Sequence, residues 1–218
     1  MDLTARALLL DMDGTLVDSG AVVMRVWGRW AAAHGLSLAR VEEVVHGRQG
    51  HESMAILLPD RPVAENLADN ARMLAEETAD LDGIVPIPGA PAFLAALAGV
   101  PHALVTSADV GLSTGRMRAA GLALPDVRIT AEDVSASKPD PEGFLKGAAQ
   151  LGFTPEECVV FEDSPAGVAA GLTAGMRVVG VGAATAAYGA TASVGTLEQV
   201  AVLPNPDGSV TLRITPQR

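Results

Sequence analysis

The sequence predicts a doubly wound α/β fold, a parallel sheet covered by helices, with an all-helical segment inserted near its start. Short apolar runs alternate with helix-like segments over most of the chain, and that alternation stops from about Ser19 to Val85, where only helical periodicity is found. Composition agrees. Hydrophobic residues make up 49% of the 218, aromatic residues only 3% and charged residues 19%. The core is therefore aliphatic, which suits strands buried on both faces.

The elements follow in order. Ala7 to Leu10 is an apolar run ending at Asp11 and reads as the first strand. In the inserted segment Val22, Val23, Val26, Trp27 and Trp30 fall on one face of a helix, and further helices are expected at Leu38 to Val45, Glu52 to Leu57 and Val63 to Leu81. The segment is bounded by Asp18 and by the Pro86-Ile87-Pro88-Gly89 hinge. This gives a helical cap over 18–85 and a core made of 1–17 and 86–218. Strands are expected at His102 to Val105, Val127 to Ile129, Cys158 to Phe161 and Arg177 to Val181. Between them come helices near Val110 to Ala120, Pro141 to Leu151 and Pro165 to Ala174, with proline in the first turn of the last two. Gln199 to Leu203 and Val210 to Ile214, joined by Asn205-Pro206-Asp207-Gly208, read as a terminal β-hairpin.

Several function classes are disfavoured. A net charge of −11 opposes nucleic-acid binding, whose affinity comes largely from Lys and Arg replacing counterions. The single cysteine, Cys158, sits in the apolar run CVVF, so a buried structural thiol and a reducing compartment are expected. Asp2, Arg6 and the short run before Asp11 are no signal-peptide pattern, which points to the cytoplasm. The uncharged stretches Gly83 to Ala108 and Val178 to Leu197 are broken by prolines or dominated by small residues, so neither reads as a membrane span. His34, His46, His51 and His102 lack a zinc-ligand spacing. Trp27 and Trp30 fit helix packing better than base stacking.

Four clusters at strand ends carry the chemistry. Asp11-Met12-Asp13-Gly14-Thr15-Leu16 follows the first strand, where ligands sit in such sheets, and Gly14 permits the tight turn that exposes both carboxylates. Thr106-Ser107 ends the next strand with hydroxyls and amides suited to phosphate oxygens. Ser137-Lys138-Pro139-Asp140-Pro141 places one lysine in a proline-stiffened loop, where its charge offsets phosphate and carboxylate alike. Glu162-Asp163-Ser164 offers oxygen ligands to a hard cation.

Taken in order, D-M-D-G-T-L, L-V-T-S, S-K-P-D-P and F-E-D-S-P-A-G-V resemble the motifs of the haloacid dehalogenase superfamily over nearly the whole chain. The resemblance implies a Rossmann-like core with a small helical cap and a magnesium-dependent phosphotransferase. It assigns Asp11 as the nucleophile that forms an aspartyl-phosphate and Asp13 as the acid and then the base. Thr106, Ser107 and Lys138 become the phosphate-holding residues. The Asp11 side chain, the Asp13 main-chain carbonyl and the Asp163 side chain become the Mg2+ ligands, with Glu162 behind them. Members that cleave carbon–halogen bonds lack the second aspartate, so Asp13 implies phosphate chemistry on a small phosphomonoester.

Within the superfamily the chain is similar to sugar phosphatases through V-H-G-R-Q, L-V-T-S and T-L-E-Q-V-A-V, and more loosely to 2-deoxyglucose-6-phosphate and glycerol-3-phosphate phosphatases. In the cap, Arg48 and Gln49 either face substrate hydroxyls or a second anionic group, or form an ordinary solvated connection. A sugar-phosphate mutase like β-phosphoglucomutase is the alternative. That family's lysine after the second motif and its cap arginine fall on Asp109 and Gly50 here, which favours hydrolysis. A non-catalytic sensor of a phosphorylated metabolite is a further alternative, opposed by the presence of both Asp11 and Asp13.

Overall fold

The computed structural model describes residues 1–215, so 216–218, the end of the expected core segment, lie outside the described residues. The chain opens with strands β1 (Asp2–Ala5), β2 (Ala7–Leu10) and the short β3 (Val17–Asp18). Helices α1 (Gly20–Ala33), α2 (Leu38–Val45), α3 (Gly50–Leu57) and α4 (Val63–Ala79) follow, and β4 (Val85–Pro86) returns the chain to the core. The remainder runs α5 (Ala90–Ala96), β5 (His102–Val105), α6 (Val110–Ala119), β6 (Val127–Ile129), α7 (Glu142–Leu151), β7 (Cys158–Glu162), α8 (Pro165–Thr173), β8 (Arg177–Val181), β9 (Ala192–Val194), β10 (Val200–Pro204) and β11 (Val210–Ile214). No helix among the described residues is long and apolar enough to cross a membrane.

The expected α/β architecture is present. Six parallel strands lie in the order β6-β5-β2-β7-β8-β9, with β2 central and buried along its whole length. From β2 the chain moves by way of the helical insertion to β5 and β6 on one side. It later crosses to β7, β8 and β9 on the other. That reversal opens a crevice at the carboxyl ends of β2, β5 and β7, the usual place for a ligand in open α/β sheets. The two-residue period of a strand divides the core: Leu8, Leu10, Leu104 and Phe161 join the layer continuous with the insertion, while Ala7, Leu9, Val105 and Val160 pack beneath α7 and α8.

In the insertion, Val22, Val26, Trp27 and Trp30 are buried along one face of α1, and Val23 packs against them. The Trp30 indole donates to Asp69 Oδ2 at 2.9 Å, and Arg61 and Arg72 also bind that carboxylate. Entry and exit of the chain are clamped together, since Val17 pairs with Pro86 and Asp18 with Val85.

Some elements differ from expectation. The C-terminal hairpin forms, yet it takes β1 as a third strand. Helix α5 arises within a stretch that its prolines mark as irregular, because Pro91 falls in the first turn, where a missing N–H costs nothing. Pro141 is the residue before α7 rather than a member of its first turn, while Pro165 does begin α8. Glu162 is the last residue of β7, paired with Gly180, rather than the loop residue after it.

Candidate active site

Strand β2 delivers Asp11 into the crevice, its N–H bound to the Phe161 carbonyl at 3.0 Å. The turn that follows reverses within a few residues: Gly14 N–H donates to Val17 O at 2.7 Å, with Gly14 at φ 83°. Only glycine adopts that conformation without strain, and a Cβ there would overlap the Asp163 carboxylate. One residue thus permits both the turn and the approach of the two acidic loops.

Beneath this turn Lys138 is almost fully buried, and its ammonium is spent on three acceptors. Nζ donates to Asp11 Oδ1 at 2.5 Å, to Glu162 Oε1 at 2.8 Å and to Val105 O at 3.1 Å. The other Glu162 oxygen accepts from Ser164 N–H at 2.8 Å and Ser164 Oγ at 3.0 Å, so Glu162 is fully satisfied. Asp11, Glu162 and Asp163 each offer an oxygen, all three within 4.8 Å of one another. They are the only such metal-ligand group found among the described residues.

Three carboxylates face one ammonium. Burial pushes the Asp11 carboxyl up to about 7 against the pull of Lys138, and Glu162 adds to the rise. Burial likewise raises Asp163 well above the ordinary carboxylate range, with Glu162 and Asp11 next in effect. Burial disfavours the Lys138 charge, but Asp11 and Glu162 outweigh it and hold this group above its usual value. The cluster therefore carries an excess of negative charge in a set of oxygen donors, which suits a hard divalent cation.

Above the cluster a cavity of about 190 Å³ lies between the core and the helical insertion. Asp11, Asp13, Thr106, Ser107, Asp163 and Arg48 all line it. The Thr106 hydroxyl accepts from Ala108 N–H at 3.1 Å, which leaves its own proton to donate. Ser107 Oγ instead donates to the Gly47 carbonyl of the insertion at 3.0 Å. Lys138 and Glu162 lie below the cavity rather than on its wall. Gln49 also lies off the wall: its amide reaches Ala131 O at 3.4 Å and its N–H reaches Ser137 Oγ at 3.3 Å.

Sequence reasoning missed three residues around Asp13. Ser19 precedes α1 without capping it, and its hydroxyl donates to Asp13 Oδ1 at 2.6 Å. Arg116 of α6 donates to Asp13 Oδ2 at 2.8 Å and to Glu77 Oε2 of α4 at 2.6 Å. Arg116 and Arg118 both stand in the last turn of α6, where basic residues read as favourable partners of the helix dipole, and nothing local marks the inward direction of Arg116.

The family model described as haloacid dehalogenase-like hydrolase matches residues 5–175. Hexitol phosphatase A of Escherichia coli (strain K12) is 39% identical over 213 residues, spanning 95% of this chain and 99% of its own. The 2-deoxyglucose-6-phosphate phosphatase 2 of Saccharomyces cerevisiae (strain ATCC 204508 / S288c) is 30% identical over 235 residues, covering 94% of each chain. A crystal structure of β-phosphoglucomutase from Clostridium difficile superposes with a TM-score of 0.79 over 89% of this chain and 92% of its own. At 22% identity that is a likeness of fold alone.

Proposed function

The chain belongs to the haloacid dehalogenase-like hydrolases and is a phosphoric monoester hydrolase, and on that premise we propose that it dephosphorylates sugar or polyol monophosphates with Mg2+ through an aspartyl-phosphate. The observation that carries this reading is the Asp11–Lys138–Glu162 cluster, with Asp163 beside it, at the floor of a cavity roofed by helices. Relatives named for hexitol and 2-deoxyglucose-6-phosphate support the polyhydroxy substrate class.

In this reading Lys138 fixes one oxygen of Asp11 and leaves the other to attack phosphorus. Asp13 gives its proton to the departing alcohol oxygen as the ester bond breaks, then takes a proton from the water that cleaves the acyl phosphate and frees Asp11. Thr106 donates its hydroxyl proton to a phosphoryl oxygen, with Ser107 beside it. The side chains of Asp11 and Asp163 and the main-chain carbonyl of Asp13 would hold the cation. Glu162, whose oxygens are already bound to Lys138 and Ser164, orients the lysine instead. When bound, the cation would offset charge on the phosphoryl oxygens.

We read 18–85 as the cap, with 1–17 and 86–218 as the core, because β3 and β4 pair where the chain leaves and returns. The small substrate is the expected partner, since a net charge of −11 disfavours nucleic acid. The buried free thiol of Cys158 suits a reducing, cytoplasmic setting.

Release of inorganic phosphate from a panel of hexitol, hexose, polyol and nucleoside monophosphates tests the reading, with and without chelator. Turnover concentrated on hexitol and hexose phosphates and lost on chelation is expected. Undiminished turnover in chelator, or a preference for nucleotides, would remove the proposal.

A further inference from the structure

Glu77 is the only carboxylate that helices α1 to α4 bring to the cavity wall, where its neighbours on α4 are Asn70, Met73 and Leu74. It is 6% exposed, and one hydrogen bond among the described residues holds it: Oε2 accepts from Arg116 at 2.6 Å. Oε1 has no protein donor, and it is not sealed from the cavity that Glu77 lines. Burial raises this carboxyl above its usual value against the pull of Arg116, and Asp13 adds to the rise. That is the mark of an anion short of donors, since each hydrogen bond to a carboxylate lowers the value. Its place relative to the chemistry follows from the same guanidinium. One terminal nitrogen of Arg116 binds Asp13 Oδ2 at 2.8 Å and the other binds Glu77, and both belong to one planar fork, so the two carboxylates are neighbours. In the proposed reading Asp13 serves the ester oxygen that leaves with the alcohol. The oxygen on the next carbon of a polyol chain stands beside that ester oxygen, as Glu77 stands beside Asp13.

We infer that Glu77 Oε1 accepts a hydrogen bond from the hydroxyl on the carbon next to the phosphorylated one, so that the site selects open-chain polyol monophosphates over cyclic sugar 6-phosphates. A carboxylate can only accept. In a hexitol 6-phosphate the neighbouring oxygen is a hydroxyl and donates. In an aldohexopyranose 6-phosphate the same oxygen closes the ring, carries no proton and faces Oε1 lone pair to lone pair. A buried acceptor left without its donor is costly, and a site built to bind a hydroxyl rejects the analogue that lacks it more strongly than a packing defect would. The inference rests on the phosphatase reading of this cavity and narrows it to a substrate shape. Within the hexitol and hexose phosphates of that reading, it places the hexitol esters first.

The test is kcat/KM for phosphate release on matched pairs of substrates. Sorbitol 6-phosphate is set against 1,5-anhydrosorbitol 6-phosphate, in which the neighbouring oxygen is a ring ether. Glycerol 3-phosphate is set against 3-hydroxypropyl phosphate, which lacks that oxygen altogether. Wild type should favour the first member of each pair by roughly 10- to 100-fold, the worth of a hydrogen bond to a charged group. Glu77→Gln should cut the sorbitol ratio by about tenfold, because an amide N–H can serve a ring ether where a carboxylate cannot. Glu77→Ala should bring both ratios close to one. A residue that only pairs with Arg116 would lower all four substrates alike and leave the ratios where they were. Ratios near one in wild type, or ratios unmoved by Glu77→Gln, would therefore overturn the inference. Wild type that releases phosphate from none of the four, nor from 4-nitrophenyl phosphate, would instead overturn the phosphatase reading beneath it. If Glu77→Ala does not fold, the wild-type ratios and the near-isosteric Glu77→Gln decide the matter.

Discussion

Replacing Asp11 with asparagine should abolish turnover and, in metal-free protein at alkaline pH, make the fold more stable. Asp11 is 5% exposed, and its carboxyl is raised from 3.8 to about 7 chiefly by burial. An acid whose folded pKa lies above its unfolded one destabilises the fold once it is ionised, by about 1.4 kcal/mol for each pH unit between the two values. Here that amounts to roughly 4 kcal/mol, an upper figure. That figure is already net of the pull of Lys138, which works against the rise. It is equivalent to a Tm rise of at most roughly 8–16 °C for a chain of this size.

The pH dependence gives this prediction its sharpest form. The destabilisation is complete above about pH 7, fades as pH falls through that value and is gone below 3.8, where Asp11 is protonated in folded and unfolded chains alike. The advantage of Asp11→Asn should therefore be largest near pH 8 and close to zero near pH 4. Added Mg2+ should narrow or reverse it at pH 8, because the ion stabilises wild type in proportion to its affinity and has lost a ligand in the variant. Differential scanning fluorimetry in EDTA and in Mg2+, at pH 8 and pH 5, reads all of this. A variant that melts below wild type in EDTA at pH 8 would refute the electrostatic reasoning, and retained phosphate release would refute the chemistry.

Other predictions follow from the same geometry. Asp163→Ala should weaken Mg2+ binding by roughly tenfold or more in calorimetry. Gly14→Ala should lose stability by about 1–3 kcal/mol and nearly all activity in denaturant and turnover assays, since a side chain at φ 83° is strained and meets the Asp163 carboxylate. Arg48→Ala should lower kcat/KM by different factors across a panel of sugar phosphates while a generic aryl phosphate suffers less; equal losses would mark a closure defect instead. Gln49→Ala should raise KM for all substrates alike, because its amide holds the core carbonyl of Ala131 rather than facing the cavity.

The parts of this fold that were legible in the sequence are those whose signal is local. Leu8, Leu9 and Leu10 form an unbroken apolar run because β2 is buried on both faces, and the polar residues just beyond each central strand stand out against such runs. The core of the site was visible for that reason: Asp11, Thr106 and Asp163 each follow an apolar strand, while Lys138 stood out in its proline-flanked loop before α7. Strand β1 was not visible, since its alternation spans only Leu3 and Ala5 and its partner β11 lies at the far end of the chain. Arg116 and Glu77 were hidden for a stronger reason. Each sits on a helix with no local mark, and they become partners only when α4 docks on α6.

In the proposed reading, that docking sets a helical cap over the catalytic floor. The floor is tied by the parallel ladder on both sides of β2 and by Lys138, all within the core. Besides the apolar layer that the two share, the roof meets it through polar contacts: Ser107 to Gly47, Gln49 to Ala131, Ser137 to Glu52 and Arg116 to Glu77. A neutral hydrogen bond exchanged for one to water changes the free energy by only about 0.5–1.5 kcal/mol, so the neutral contacts among these contribute little each. The buried ion pair is the exception, because parting it leaves charges that must be rehydrated. Loss of the Glu77 carboxylate should therefore destabilise the boundary more than the loss of any neutral contact along it, as read by the thermal midpoints of Glu77→Gln and Gln49→Ala.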